Sequence, residues 1–247
     1  MSGPAPMACG TIHGVGLGPG AADLLSVRAD RLVRTTRHIA YFRKAGRPGQ
    51  ARRIAEGMLR EDAVEIAMEY PVTTEIPLTD PRYNECLSTF YAQCTQRLID
   101  LSRAGHDIVV LCEGDPFFYG SFMHLHTRLA GVVPVAVVPG ITGMAGAWHA
   151  TAMPITWGDD VLTVAMATLA EEELTRRIRD TDALVVMKIG RNMPKLRRAV
   201  AAAGREDAAW LVEYAAMPGQ RVTPLAEAEE VTPYFSILLI HGQGRRP

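Results

Sequence analysis

Two carboxylates, Glu113 and Asp115, flank a glycine in the stretch CEGDPFFYG at residues 112–120, directly after the apolar run DIVVL. Carboxylates this close to a buried strand are costly unless something pairs with them. Phe117, Phe118 and Tyr119 follow the Gly-Asp-Pro turn, although a solvated turn has no use for three rings. Aromatic faces beside a carboxylate suit a flat heterocycle that carries a positive centre, through stacking and cation–π attraction. S-adenosylmethionine (SAM) has both features.

Two glycine-rich stretches accompany this one, GVGLGPGAADLL at 14–25 and VPGITG at 138–143. Gly16, Gly18 and Ala21 fit the dinucleotide fingerprint after a strand. Pro19 and Gly20 put a turn inside that loop, however, and the second strand ends in Phe42, Arg43 and Lys44 with no acid for the ribose hydroxyls of NAD. The loop is therefore read as a backbone that approaches some other ligand closely, which glycine permits. FRKAGRPGQARR, residues 42–53, is a cationic loop that either binds an anion or is simply solvated. His124 and His126 lie two apart on a predicted helix, point to different faces and are read as structural.

The elements that must position these loops are legible in outline. From residue 11 short β-rich runs alternate with helical periods: TIHGVG, LLSVRADRLVRT, HIAYF, ARRIAEGMLR, VEIAMEY. Asp80 as N-cap, Pro81 at the first helical position and a stripe of Leu87, Phe90, Tyr91, Cys94, Leu98 and Leu101 predict a long helix that ends at Gly105. DIVVLCEG, a helix near 121–130, VPVAVVPG and a helix from Ile141 continue the rhythm of a parallel sheet covered by helices. In such sheets ligands collect beyond the carboxyl ends of the strands, so GLGPG, CEGDPFFYG and VPGITG are expected to share one crevice. MPITWGDD, residues 153–160, interrupts the alternation. The expected fold is α/β with two α/β domains, residues 10–152 with a mostly parallel sheet and 153–247 with a mixed one.

The 247 residues are 48% apolar and 21% charged with a net charge of −1, the balance of an ordinary globular protein. That charge gives no global attraction to nucleic acid or to a membrane. Cys9, Cys86, Cys94 and Cys112 lack metal-ligand spacing and read as free thiols in a reducing compartment, with no metal site expected. MSGPAPMACG has no basic leader and no run is long enough to span a bilayer, so the expected location is cytoplasmic.

GVGLGPG, EGDPFFYGSF and VPGITG resemble the three sequence blocks of the tetrapyrrole (corrin/porphyrin) methyltransferase family, and the resemblance runs from about Gly10 to Gly242. YPVTTE at 70–75, WGDDVLTV at 157–164, MKIGRN at 187–192 and PYFSILLI at 233–240 resemble a cobalamin-synthesis subgroup that methylates a bridge carbon of a reduced tetrapyrrole. The resemblance implies SAM and the macrocycle bound in a cleft between two α/β domains, usually in a homodimer. It places Pro19, Gly114, Asp115, Phe118, Thr142, Gly143, Met187, Tyr214 and Ala215 around SAM. Many members carry a second small hydroxyl residue where this chain has Gly143, which implies backbone contacts alone there. The acetate and propionate groups of the macrocycle need guanidinium and ammonium donors, for which Arg43, Lys44, Arg47 and Arg191 are the candidates. A bridge carbon can attack the sulfonium methyl directly, and Glu113 or Tyr119 is the candidate base for any proton then released. Another carbon of the ring system, a histidine of a protein, ribosomal RNA, or a tetrapyrrole carrier without catalysis are the competing readings. The lack of a basic stripe opposes RNA, and a carrier has no need of SAM.

Overall fold

The structure, a computed structural model, describes residues 8–72 and 80–244. The opening MSGPAPM and residues 73–75 of YPVTTE lie outside the described residues. The chain divides into two compact units, Met1–Thr142 and Gly143–Pro247.

In the first unit β1 (Ile12–Gly16), α1 (Val27–Thr35), β2 (His38–Lys44), α2 (Gln50–Ile54), β3 (Val64–Tyr70), α3 (Pro81–Arg103), β4 (Ile108–Cys112), α4 (Phe122–Leu129) and β5 (Val135–Val138) follow in order. The strands form a parallel sheet in the order β3-β2-β4-β1-β5. Both faces are covered, because β4 alternates between two apolar clusters. Ile108, Val110 and Cys112 pack with α3 and α4, whereas Val109 and Leu111 pack with α1 and α2. Gly14 lets α4 close on the sheet: a Cβ there would stand 2.3 Å from the Phe122 ring. Ser26 caps α1 by accepting from the Ala29 amide, and Asp80 caps α3 by accepting from that of Arg82. Gly105, at φ +85°, ends the α3 region as the sequence predicts. ARRIAEGMLR is helical only to Ile54, since Gly57 takes φ +73° and turns the chain.

The second unit contains α5 (Gly143–Ala150), β6 (Leu162–Met166), α6 (Glu171–Arg179), β7 (Ala183–Met187), α7 (Met193–Ala202), β8 (Ala209–Glu213), β9 (Arg221–Pro224) and β10 (Ser236–Ile240). Its sheet runs β6-β7-β10-β8-β9. β6 and β7 are parallel, while β10 is antiparallel to β7 and β8, and β9 to β8. This is the mixed sheet expected for the second domain. α6 and α7 cover one face around Leu184, Val186, Leu211 and Leu238. α5 covers the other, with Ala147 in a cluster with Val185, Val212 and Leu239. The compact units therefore divide after Thr142, ahead of the 152/153 boundary read from the sequence, because α5 buries its apolar side on the second sheet.

Candidate active site

The three glycine-containing loops leave β1, β4 and β5 at their carboxyl ends, and these strands are neighbours in the order β4-β1-β5. They are sewn together through backbone. The Leu17 amide donates to the Cys112 carbonyl at 2.9 Å, and Gly18 and Gly114 exchange two N–H···O bonds. The packing leaves no room for side chains: a Cβ on Gly16 would lie 2.6 Å from the Gly140 nitrogen, and one on Gly140 2.1 Å from the Gly114 oxygen. These glycines serve close backbone approach within the protein, and Pro19 is buried beside them.

The two carboxylates of CEGDPFFYG have different surroundings. Asp115 accepts from the Phe117 amide through Oδ1 at 2.8 Å and from the Gly140 amide through Oδ2 at 3.0 Å. It fastens its own turn and ties the β4 loop to the β5 loop. Glu113 accepts one bond, from the Ala51 amide at the start of α2, through Oε1 at 3.2 Å. Its side chain is solvent-accessible, although protein surrounds its carboxyl group. That surrounding disfavours the charged form and raises its pKa to about 7, only partly offset by the Ala51 hydrogen bond.

The three rings divide as well. Phe117 sets its ring edge-on to His126 at 4.7 Å, and Phe118 meets Tyr119 edge-on at 4.8 Å. Phe117 and Tyr119 remain about half-exposed. Tyr119 takes φ +54°, an uncommon conformation for a bulky residue. Tyr91 stacks on His124 at 4.6 Å, so both histidines pack against rings, on different sides of α4.

Around the cationic loop, Arg43 is bound to Glu69 of β3 through Nε at 2.8 Å, and Arg52 forks onto Glu65. Lys44 and Arg47 are exposed at the end of β2 and in the turn after it. One cluster here escaped the sequence reading. The Ser121 hydroxyl meets both the Tyr70 hydroxyl and, at 3.2 Å, that of Tyr91. Phe42 stacks on Tyr70 at 5.4 Å. The available signal was position: Ser121 directly follows GDPFFYG, and Tyr70 pairs in register with Lys44 at the end of β3.

In the second unit Met187 ends β7 and Tyr214 follows β8, on the same edge of the sheet, with the start of β10 between them. Met187 and Ala215 belong to one apolar cluster with Met144 and Ile237. Tyr214 is partly exposed, takes φ +51° and donates its amide to the Phe235 carbonyl at 2.8 Å. An apolar floor beside a ring suits the face of a heterocycle. A Cβ added at Gly143 would meet, among the described residues, only Ile237 Cδ1 at 3.8 Å, ordinary contact distance. Arg191 is exposed after β7. Glu213 is buried, with Oε2 on Arg221 and Oε1 without a partner among the described residues, another feature the sequence did not announce. Cys112 is buried, donates toward the Val110 carbonyl and has its thiol pKa pushed far up by burial. All four cysteines are free, and no cluster of metal-ligating side chains occurs among the described residues.

Residues 11–229 match the family described as Tetrapyrrole (Corrin/Porphyrin) Methylases. The chain is 48% identical to a Precorrin-2 C(20)-methyltransferase of Sinorhizobium sp, over 96% of this chain and 98% of that one. It is 25% identical to a Cobalt-precorrin-2 C(20)-methyltransferase of Salmonella typhimurium, over 95% and 97%. Among solved structures, the cobalt precorrin-4 methyltransferase CbiF superposes with a TM-score of 0.72 at 20% identity, over 94% of each chain, which shows the shared fold. With the sequence blocks, the two sheets and these likenesses in agreement, the chain belongs to the tetrapyrrole (corrin/porphyrin) methylases.

Proposed function

We propose that this protein methylates C20 of precorrin-2 with SAM, giving precorrin-3A in cobalamin synthesis. The observation that carries the proposal is the 48% identity, spread over nearly the whole of both chains, to an enzyme of that name. The metal-free substrate is favoured because the relative named for the cobalt-containing one is only 25% identical.

Bound SAM would supply an electrophilic methyl group on a positively charged sulfur. Gly114, Asp115 and Phe118, with Pro19 beneath and Thr142 and Gly143 on the next loop, would hold it from the strand ends. Met187, Tyr214 and Ala215 would take the adenine. The donor set fits such a ligand: half-exposed rings and a carboxylate stand at one sheet's edge, an apolar floor with a tyrosine at the other's. Asp115 would act through the loops it fastens, since both of its oxygens already accept backbone amides. Lys44, Arg47 and Arg191 would meet the carboxylates of the macrocycle; Arg43, committed to Glu69, would reach them only by giving up that pair. Orientation and exclusion of water are the protein's main contributions, and no enzyme nucleophile is needed. Buried Cys112, with its thiol held protonated, is unsuited to carrying the methyl group. The active assembly is proposed to be a homodimer, as the family resemblance implies.

The test is incubation of the purified protein with methyl-labelled SAM and precorrin-2, the new methyl being located by carbon NMR. Label at C20 is expected; label on another carbon, or none, would refute the assignment. Repeating the incubation with cobalt-precorrin-2 tests the metal preference.

A further inference from the structure

The two carboxylates around Gly114 have divided their work. Asp115 has both oxygens occupied by backbone amides of its own and the neighbouring loop. Glu113 has one oxygen fixed by the Ala51 amide, while Oε2 has no hydrogen-bond partner among the described residues. Glu113 follows the last residue of a central strand, at the sheet edge where ligands of such folds collect. We propose that Glu113 is the catalytic base of the reaction, with Oε2 taking the proton from the carbon that has just been methylated. The proposal rests on the functional reading above and assigns a step within it.

The step balances. As C20 takes the methyl group, the S–CH3 electron pair stays on sulfur and the positive charge spreads over the conjugated ring nitrogens. The C20–H bond then breaks, the proton goes to Glu113 Oε2, and the freed pair restores the conjugation. A methyl enters and a proton leaves, so no oxidant or reductant is involved.

The charged neighbours leave Glu113 available. Arg52 of α2 is forked onto Glu65, and Arg43 of β2 is paired with Glu69. Arg53 of α2 and Lys44 at the end of β2 are exposed, and neither supplies it with a counter-charge. On its own strand and loop lie the buried Cys112 thiol and the Asp115 carboxylate. With protein around it and no cation beside it, its carboxyl pKa is raised to about 7, close to the pH at which a base is most effective. Tyr119, the other candidate, has a half-exposed ring set against Phe118.

The deciding experiment separates proton movement from methyl transfer. Precorrin-2 carrying hydrogen or deuterium at C20 is incubated with the full chain and SAM, and formation of the methylated product is followed by mass spectrometry. Glu113→Gln should lower kcat by about 10²–10⁴-fold with little change in the KM for SAM, and because proton loss from the methylated C20 then limits the rate, deuterium should slow the variant more than it slows wild type. Wild-type kcat should rise through an apparent pKa near 7, and this limb should vanish in the variant. A Glu113→Gln protein with the wild-type isotope effect, or with kcat within about threefold of wild type, would overturn the assignment. If that variant does not fold, wild type decides: a kcat unchanged from about pH 5.5 to 8.5 overturns it equally. A wild type that methylates nothing on precorrin-2 would instead remove the functional reading and this proposal with it.

Discussion

At the scale of single residues, the carboxylates of CEGDPFFYG show what a sequence displays and what it conceals. Their presence next to a buried strand was legible, because charge there demands partners. Which partner each takes was not: Glu113 meets Ala51 from 62 positions earlier, and Asp115 meets Gly140 from 25 positions later. The family resemblance placed Asp115 beside SAM, and in the fold its two oxygens also accept backbone amides. Asp115→Ala should therefore destabilise the free protein, by about 1–3 kcal/mol for leaving these donors unpaired, as measured by urea unfolding. Unchanged stability with lost SAM affinity would instead make it a direct ligand. Gly140 and Gly143 offer a second contrast that sequence cannot supply. Gly140→Ala forces its Cβ against the Gly114 carbonyl and should cost about 1–3 kcal/mol or more. Gly143→Ala, with its Cβ at ordinary contact distance, should unfold within about 0.5 kcal/mol of wild type. Equal costs at the two positions would mean that the loops are not packed as described.

Elements were legible in proportion to how local their causes are. α3 runs as its cap, its proline and its apolar stripe dictate, and the strands of the first sheet lie in the runs that predicted them. α2 is shorter than its pattern because Gly57 turns the chain, and α5 begins at Gly143 rather than at the expected Ile141. α5's allegiance to the second sheet is a tertiary fact, with no local signal. The cationic loop between β2 and α2 was legible as basic, but the cross-strand pair Arg43–Glu69 depends on the register of β2 with β3. That pair sets a testable order within the loop. Arg47→Ala should raise the KM for the macrocycle severalfold, as expected for losing about 1 kcal/mol or more of a charge-assisted contact, with SAM affinity retained. Arg43→Ala should have the smaller effect, because its guanidinium already has a partner. Equal, negligible effects of both would return this loop to a merely solvated role.

For the whole molecule, the raised pKa of Glu113 links function to folding stability. In the unfolded chain a glutamate titrates near its ordinary value of 4.5, and in the folded protein Glu113 does so at about 7. Between these values the folded state binds more proton than the unfolded one, so stability falls as pH rises across this window. The contribution is fully present below the unfolded pKa and is lost as pH passes through the folded one. Because the side chain is solvent-accessible, screening reduces the effect to an order of 1 kcal/mol. Glu113→Gln cannot ionise and should lack the slope. Measured without ligands, its stability relative to wild type should therefore increase between about pH 5 and pH 8. The difference removes the titration of every other group, including the outer ion pairs of α6 and α7, which both proteins share. A flat difference would show that Glu113 keeps an ordinary carboxyl pKa in the folded protein. Proton transfer near neutral pH would then need another acceptor, whatever the identity of the methylated carbon.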